Sequence, residues 1–126
     1  MNKQQVSALL ASNSYAVTKA IVLLFSYQTV GERSTSTTVE DNGAGFSAAH
    51  AKDASYWARW VLWVGPRAPQ HIIAAKVAHY LQGDNHRKYR TLTGSYLERA
   101  REVATHYWRQ LDKAAKRKAE AERVPF

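Results

Sequence analysis

Histidines are the residues of this chain best able to hold a metal ion. There are five of them, namely His50, His71, His79, His86 and His106. No pair has the H-E-x-x-H arrangement, which places two zinc ligands on one helix face with a carboxylate between them. His71 and His79 are separated by two helical turns, about 12 Å at 1.5 Å per residue, which is too far for one ion. The spacing therefore predicts surface or core histidines, with no metal site and no cofactor.

Clustered carboxylates would be needed for a metal-dependent nuclease. Glu40 and Asp41 are adjacent, and Asp53 follows on the next predicted helix, so the three could converge. Asp53 is equally suited to the first turns of that helix, where a negative charge stabilises the helix dipole. The segment 84–86, Asp-Asn-His, resembles a fragment of an HNH-type nuclease without its strands or partner histidine.

No nucleophile or phosphate-binding motif is present either. None of the serines stands in a G-x-S-x-G elbow. The Gly43-x-Gly45 pair lacks the third glycine of a dinucleotide fold and the Lys-Ser/Thr of a P-loop. The chain is therefore predicted not to be an enzyme, and no small-molecule substrate is indicated.

Basic residues interleaved with an aromatic ring suggest a different chemistry. In the segment 86–90, Arg87, Lys88 and Arg90 could contact phosphates while Tyr89 stacks on a base. Further cations on the last predicted helix could extend this surface: Arg99, Arg109, Lys113, Lys116, Arg117 and Lys118. The alternative is a solvated connector followed by a charged helix face.

The net charge of +8 is concentrated in the last third of the chain. Residues 86–118 hold ten basic and three acidic side chains, a net charge of +7. Such a concentration suits a polyanion, either nucleic acid or an acidic protein surface.

Composition and length favour a cytoplasmic protein with no membrane partner. The chain has no cysteine, which excludes disulfides and thiolate zinc sites and fits a reducing compartment. No signal-peptide pattern is visible. The apolar run 20–25 is far shorter than the roughly 20 residues that span a bilayer.

Hydrophobic spacing predicts an all-α fold, a compact bundle of four to five helices in one domain over residues 1–126. Helices are expected over 3–28 with a break at Ser12-Asn13-Ser14, over 47–64, over 69–82, and from Thr93 or Ser95 to 122. A Gly-rich irregular loop or very short β-hairpin joins the first two, with a flexible loop at 31–40. Residues 116–126 are expected to be a solvated or frayed tail.

The helix over 47–64 carries three tryptophans, Trp57, Trp60 and Trp63. A helix this apolar is either buried on nearly all sides or meets a partner. Burial in the core is the favoured interpretation. The alternative is a contact surface for a host or phage protein, since aromatic residues dominate interface energies.

One loop has a family likeness. Tyr27-Gln28-Thr29, the threonines at 37–38 and the segment 41–47, Asp-Asn-Gly-Ala-Gly-Phe-Ser, resemble a pattern in small phage and prophage accessory proteins. The pattern is similar to a short module accompanying some helicase-like proteins. Its distinctive loop residues here are Asn42, Gly43, Gly45 and Phe46, and Phe46 is expected to plug the core.

The same pattern ends in a closing helix, for which the chain offers two partial matches. One runs from Pro69-Gln70 to Tyr80-Leu81-Gln82, and the other from Leu92-Thr93 to Tyr107 and Gln110-Leu111. The resemblance implies a phage-type accessory protein with no catalytic residues. We therefore expect nucleic-acid binding in phage DNA metabolism or recombination, with non-enzymatic inhibition of a host or phage protein as the alternative.

Overall fold

The computed structural model describes residues 1–28, 45–83 and 85–123. Within these ranges the chain forms six α-helices and no strand, which confirms the all-α prediction. The helices are α1 Lys3–Ser12, α2 Ser14–Ser26, α3 Ala48–Val61, α4 Gln70–Leu81, α5 Gly94–His106 and α6 Trp108–Arg123, with a 3₁₀ turn at Asn85–Lys88. The predicted flexible loop at 31–40, the possible hairpin and the turn at Asn42-Gly43 lie outside the described residues.

Asn13 divides the first apolar run into two helices, as its position predicts. It is the C-cap of α1 and the N-cap of α2, and its side chain accepts a hydrogen bond from the backbone N–H of Ala16 at 3.1 Å. Capping satisfies a backbone donor that would otherwise be orphaned at a helix start. Together α1 and α2 have the length and composition of a membrane span, but the pair is bent by 119° at the break between them. No single helix among those described is long and apolar enough to cross a membrane.

The second helix, α2, forms the centre of the bundle. Its residues Ile21, Val22, Leu24 and Phe25 are fully buried, and α1, α3, α4 and α5 all pack against it. A helix that is apolar on every side must be enclosed in this way. Thr18 on α2 also accepts a hydrogen bond from the backbone N–H of Leu92 at 3.1 Å. That bond fixes the connector between α4 and α5 to the core.

The last predicted helix is two helices, because the chain turns at Tyr107. The sequence suggested one helix to residue 122, whereas α5 ends at His106 and α6 starts at Trp108. This division, with that at Asn13, raises the number of described helices to six. The predicted tail is helical as far as Arg123, and residues 116–122 are exposed.

The buried face of α4 includes only some of its apolar residues. Ile73, Val77 and Tyr80 are buried, but Ile72 and Ala75 are exposed. The chain supplies no neighbouring helix on that side of α4 in the described ranges, since α4 packs mainly on α2 and the 3₁₀ turn.

Candidate interaction surface

The end of the glycine loop is clamped to α6. The side-chain amide of Gln110 accepts from the backbone N–H of Gly45 at 2.8 Å and donates to the Gly45 carbonyl at 3.1 Å. Phe46 is buried as expected, and its ring meets Tyr107 edge-on with centroids 5.6 Å apart. Of the two partial matches to the closing helix, the one containing Tyr107 and Gln110 therefore contacts the loop. Asn42 and Gly43 lie outside the described residues.

The Tyr27-Gln28 segment meets the same loop end from the other side. Gln28 is buried, and its Oε1 accepts a hydrogen bond from Ser55 Oγ at 3.2 Å. A Cβ built on Gly45 would lie 2.7 Å from Gln28 Cγ. The spacing of these residues has a packing reason here, because three segments that are distant in sequence close on one glycine. The described part of the motif is thus structural.

A histidine pair borders this clamp. His50 Nδ1 is hydrogen-bonded to the Tyr107 hydroxyl at 2.7 Å, and the rings of His50 and His106 are 5.2 Å apart. Burial and then the nearby His106 lower the pKa of His50, while Asp53 acts in the opposite direction. Across the described ranges, no three histidine or carboxylate side chains converge as metal ligands.

The aromatic ring of the connector 86–90 packs partly against the fold. The hydroxyl of Tyr89 is hydrogen-bonded to His79 Nδ1 at 2.8 Å, and its ring also packs edge-on against Tyr80. Burial raises the pKa of the Tyr89 phenol. Tyr89 is therefore half-buried and engaged by His79 and Tyr80, and its stacking on a base stays a prediction. Arg87 and Lys88 are exposed.

Arg90 leaves the connector and joins the tryptophans of α3. Its backbone N–H donates to the Val61 carbonyl at 3.1 Å. Its guanidinium carbon lies 3.4 Å from the ring centroid of Trp63 and 4.6 Å from that of Trp60. A planar guanidinium stacks on aromatic faces in this way, through cation–π attraction and low hydration.

The tryptophans of α3 are divided between the core and the surface. Trp57 is 3% exposed, whereas Trp60 and Trp63 are 37% and 56% exposed. Tyr56 on the same helix and Tyr96 on α5 are 59% and 51% exposed. We call Tyr56, Trp60, Trp63, Arg90 and Tyr96 the aromatic–arginine surface. Of the three tryptophans, the favoured prediction of burial in the core is thus correct for Trp57 alone.

Two depressions run through this surface. A shallow groove of about 910 Å³ is lined by Lys52, Asp53, Tyr56, Arg59, Trp60, Trp63, Val64, Gly65, Pro66 and Arg90. A smaller cleft of about 110 Å³ lies between Trp60 and Tyr96. The sequence analysis did not identify Tyr96. The one available signal was that its aromatic ring lies off the apolar stripe of α5.

Trp63 is held in an unusual backbone conformation. Its φ is 59°, the left-handed region that glycine normally occupies at the end of a helix. The N–H groups of Trp63 and Val64 donate to the carbonyls of Trp60 and Arg59, the bonding pattern of a Schellman motif. A bulky residue at such a position is strained, and strain of this kind is concentrated at functional sites.

The remaining predicted cations are divided between the edge of the groove and α6. Arg99 pairs with Asp53 at 2.9 Å, at the edge of the groove, while Lys116 pairs with Asp112 at 2.9 Å on α6. Arg109 stacks on Trp108. The exposed cations of α6 stand on a helix that packs against α1 and α2, away from the groove. Those cations are Arg109, Lys113, Lys116, Arg117 and Lys118.

No protein-family model, curated protein or solved structure matches this chain, so its function is inferred from the geometry of its surfaces.

Proposed function

We propose that the protein binds single-stranded nucleic acid through the aromatic–arginine surface. The observation that carries the proposal is the exposure of Trp60 and Trp63 around the guanidinium of Arg90. Stacking of a base on an aromatic side chain contributes about 1–3 kcal/mol and tolerates any base, because every base has a flat face. A duplex hides its base faces within the stack, so rings of this kind favour a single strand.

Charge supports the same ligand. The groove has three cationic residues, Lys52, Arg59 and Arg90, and a single acid, Asp53, which already pairs with Arg99. The whole chain carries +8. In this proposal the exposed cations of α6 attract the polyanion at a distance, and the aromatic–arginine surface makes the close contacts.

The first test is a fluorescence anisotropy titration with a labelled 20-nucleotide single strand and the matching duplex. We expect a dissociation constant on the order of micromolar for the single strand at low salt, rising steeply with salt as counterions are released. Trp60→Ala and Arg90→Ala should each weaken binding about tenfold. The first removes the ring on which one base stacks, and the second removes one desolvated cationic contact.

Two controls locate the site. Ile72→Ala removes an exposed apolar side chain from α4, outside the groove, and should leave affinity unchanged. The double variant R109A/K113A removes cations from α6 and should weaken binding less than Arg90→Ala does. Binding that is lost with R109A/K113A and retained with Trp60→Ala would overturn the proposed site in favour of the basic helix.

A protein partner is the second candidate, and the same surface favours it. Exposed tryptophan, tyrosine and arginine around a groove are the residue types that dominate the energy of protein interfaces. The protein would then act as an inhibitor of a host or phage enzyme. A complex captured by the wild type, lost with Trp60→Ala and insensitive to salt would favour this function. Failure of the oligonucleotide titration would remove the first candidate independently.

The setting of either activity follows from the resemblance of the loop. We propose a role in phage DNA metabolism or recombination, in the cytoplasm of the host cell. Purification from infected cells with and without nuclease treatment would separate partners that are bridged by nucleic acid from partners that are bound directly.

A further inference from the structure

A second cavity lies between α1, α2 and α6 and shares no residue with the aromatic–arginine surface. Its volume is about 540 Å³. The walls are aliphatic, with Val6 and Leu10 from α1, Leu23 from α2, and Leu111 and Ala115 from α6. Leu9 and Met1 stand exposed at its opening. Exposed aliphatic side chains beside a concave apolar wall are typical of a ligand site between helices of a bundle.

The rim of this cavity is cationic. Lys19, Arg117 and Lys118 line it, and none of the described residues that line it is acidic. On α6, Glu120 is the acid nearest in sequence to Arg117 and Lys118. Asp112, five residues before Arg117, is already engaged, because it accepts from the Met1 α-amino group and from Lys116 at 2.9 Å. These two bonds lower the pKa of Asp112 and keep it charged and paired. Arg117 and Lys118 are exposed, and they form no ion pair with any residue in the described ranges.

We propose that this cavity binds an anionic amphiphile, a molecule with one aliphatic chain and one anionic headgroup. The chain occupies the space between α1, α2 and α6, and the headgroup lies between Arg117 and Lys118. An aliphatic wall contributes about 0.8 kcal/mol for each methylene buried. The two cations on consecutive positions of α6 supply charge complementarity to the anionic headgroup.

The volume of the cavity is that of a small-molecule site. Such sites usually measure about 300–1,000 Å³, and this cavity of about 540 Å³ falls within that range.

Dodecanoate, below its critical micelle concentration, is the probe that tests this site. Isothermal titration calorimetry should give one-to-one binding, with dodecanol, which has the same chain and no charge, binding about tenfold more weakly. Ala115→Trp fills the cavity from an exposed position of α6 and should abolish binding. The double variant R117E/K118E should weaken dodecanoate by about tenfold or more and leave dodecanol unchanged.

A matched control is available on the same helix. The double variant R109E/K113E changes the charge of α6 by the same amount at exposed positions outside the cavity and should leave dodecanoate binding intact. Circular dichroism should show equal helix content for all three variants. If Ala115→Trp does not fold, Ala114→Leu provides a smaller obstruction of the same wall.

Four outcomes would overturn the proposal. They are absence of dodecanoate binding to the wild type, equal affinity for dodecanol, binding that survives Ala115→Trp in a folded protein, and equal loss with R109E/K113E. An acidic amphipathic peptide that binds where dodecanoate does not would assign the cavity to a protein partner. The cavity shares no residue with the aromatic–arginine surface, so the oligonucleotide titrations of Trp60→Ala and Arg90→Ala test the proposed function separately. R117E/K118E also removes cations of α6 and is therefore read with dodecanoate and dodecanol alone.

Discussion

Gly45 occupies a position that no other residue fits without strain. Its φ is +75°, and an added Cβ would lie 2.7 Å from Gln28 Cγ and 3.2 Å from the Leu24 carbonyl oxygen. The second of these neighbours is backbone of α2, which cannot move without disturbing the core. Because Gly45 has no Cβ, the end of the loop can approach the central helix α2 this closely.

Gly45→Ala should destabilise the protein by about 2–4 kcal/mol, from the sum of left-handed strain and overpacking. Urea unfolding followed by circular dichroism measures this difference. Gly65→Ala is the matched control, because nothing lies within 4 Å of its added Cβ. It should be neutral or stabilising by up to about 1 kcal/mol. Equal effects of the two substitutions would contradict the packing described for Gly45.

At the scale of one element, the C-terminal end of α3 places an exposed tryptophan where glycine would be more stable. Glycine would satisfy the Schellman motif without strain, yet the chain has Trp63 there and Gly65 two residues later. The strained backbone turns the ring outward beside Arg90, where it remains 56% exposed. Strain of about 1–2 kcal/mol for a residue in this region is small enough for the bundle to tolerate.

Two substitutions at residue 63 separate the cost of the backbone strain from the contribution of the ring to binding. Trp63→Gly should be more stable than Trp63→Ala by about 1 kcal/mol, because only alanine retains the strain. Both should lose oligonucleotide affinity to the same extent, since both lack the ring. Thermal unfolding and the anisotropy titration provide the two readings. A stability order in which alanine exceeds glycine would show that residue 63 is not strained in solution.

Helices whose local signals agree with tertiary packing were predictable from sequence. The break at Asn13 follows from a capping residue, and the burial of α2 from apolar residues on every face. The break at Tyr107 had no such signal, because the apolar spacing continues from Ala104 to Leu111. In the structure Tyr107 stands at the break, and its hydroxyl is hydrogen-bonded to Ser47 and His50, which are distant in sequence.

The sequence predicted the types of residue that form the candidate site, cations and aromatic rings, but not where in the fold they meet. Alternating cations and an aromatic ring at 86–90 suggested one solvent-facing strip. In the structure Tyr89 turns towards α4 and Arg90 towards α3, so neighbouring residues serve different surfaces. That separation depends on where α3 and α4 lie, which no local pattern of five residues contains.

At the scale of the whole molecule, His50 couples folding to pH. It lies on α3, and the groups that face it are Asp53 on its own helix, His106 on α5, and Tyr107 between α5 and α6. Its pKa is lowered from 6.5 in the folded protein. Below pH 6.5 the unfolded chain therefore binds more protons at this residue than the folded chain does.

The free energy of unfolding should accordingly fall as the pH decreases through 6.5, and this contribution should level off below the folded pKa. Urea titrations between pH 7.5 and 5 measure the slope. His50→Gln should flatten it in that window, whereas His71→Gln, at an exposed position on α4, should leave it unchanged. A slope that is equal in wild type and His50→Gln would exclude His50 as its origin.

The contact between Gly45 and Gln28 also means that the polypeptide departs from the bundle and returns to it at neighbouring points. Segment 29–44 is thus joined to the helices by two adjacent anchors, with no distance for it to bridge. A substitution that separates these two anchors would therefore disturb both the end of α2 and the start of α3 at once.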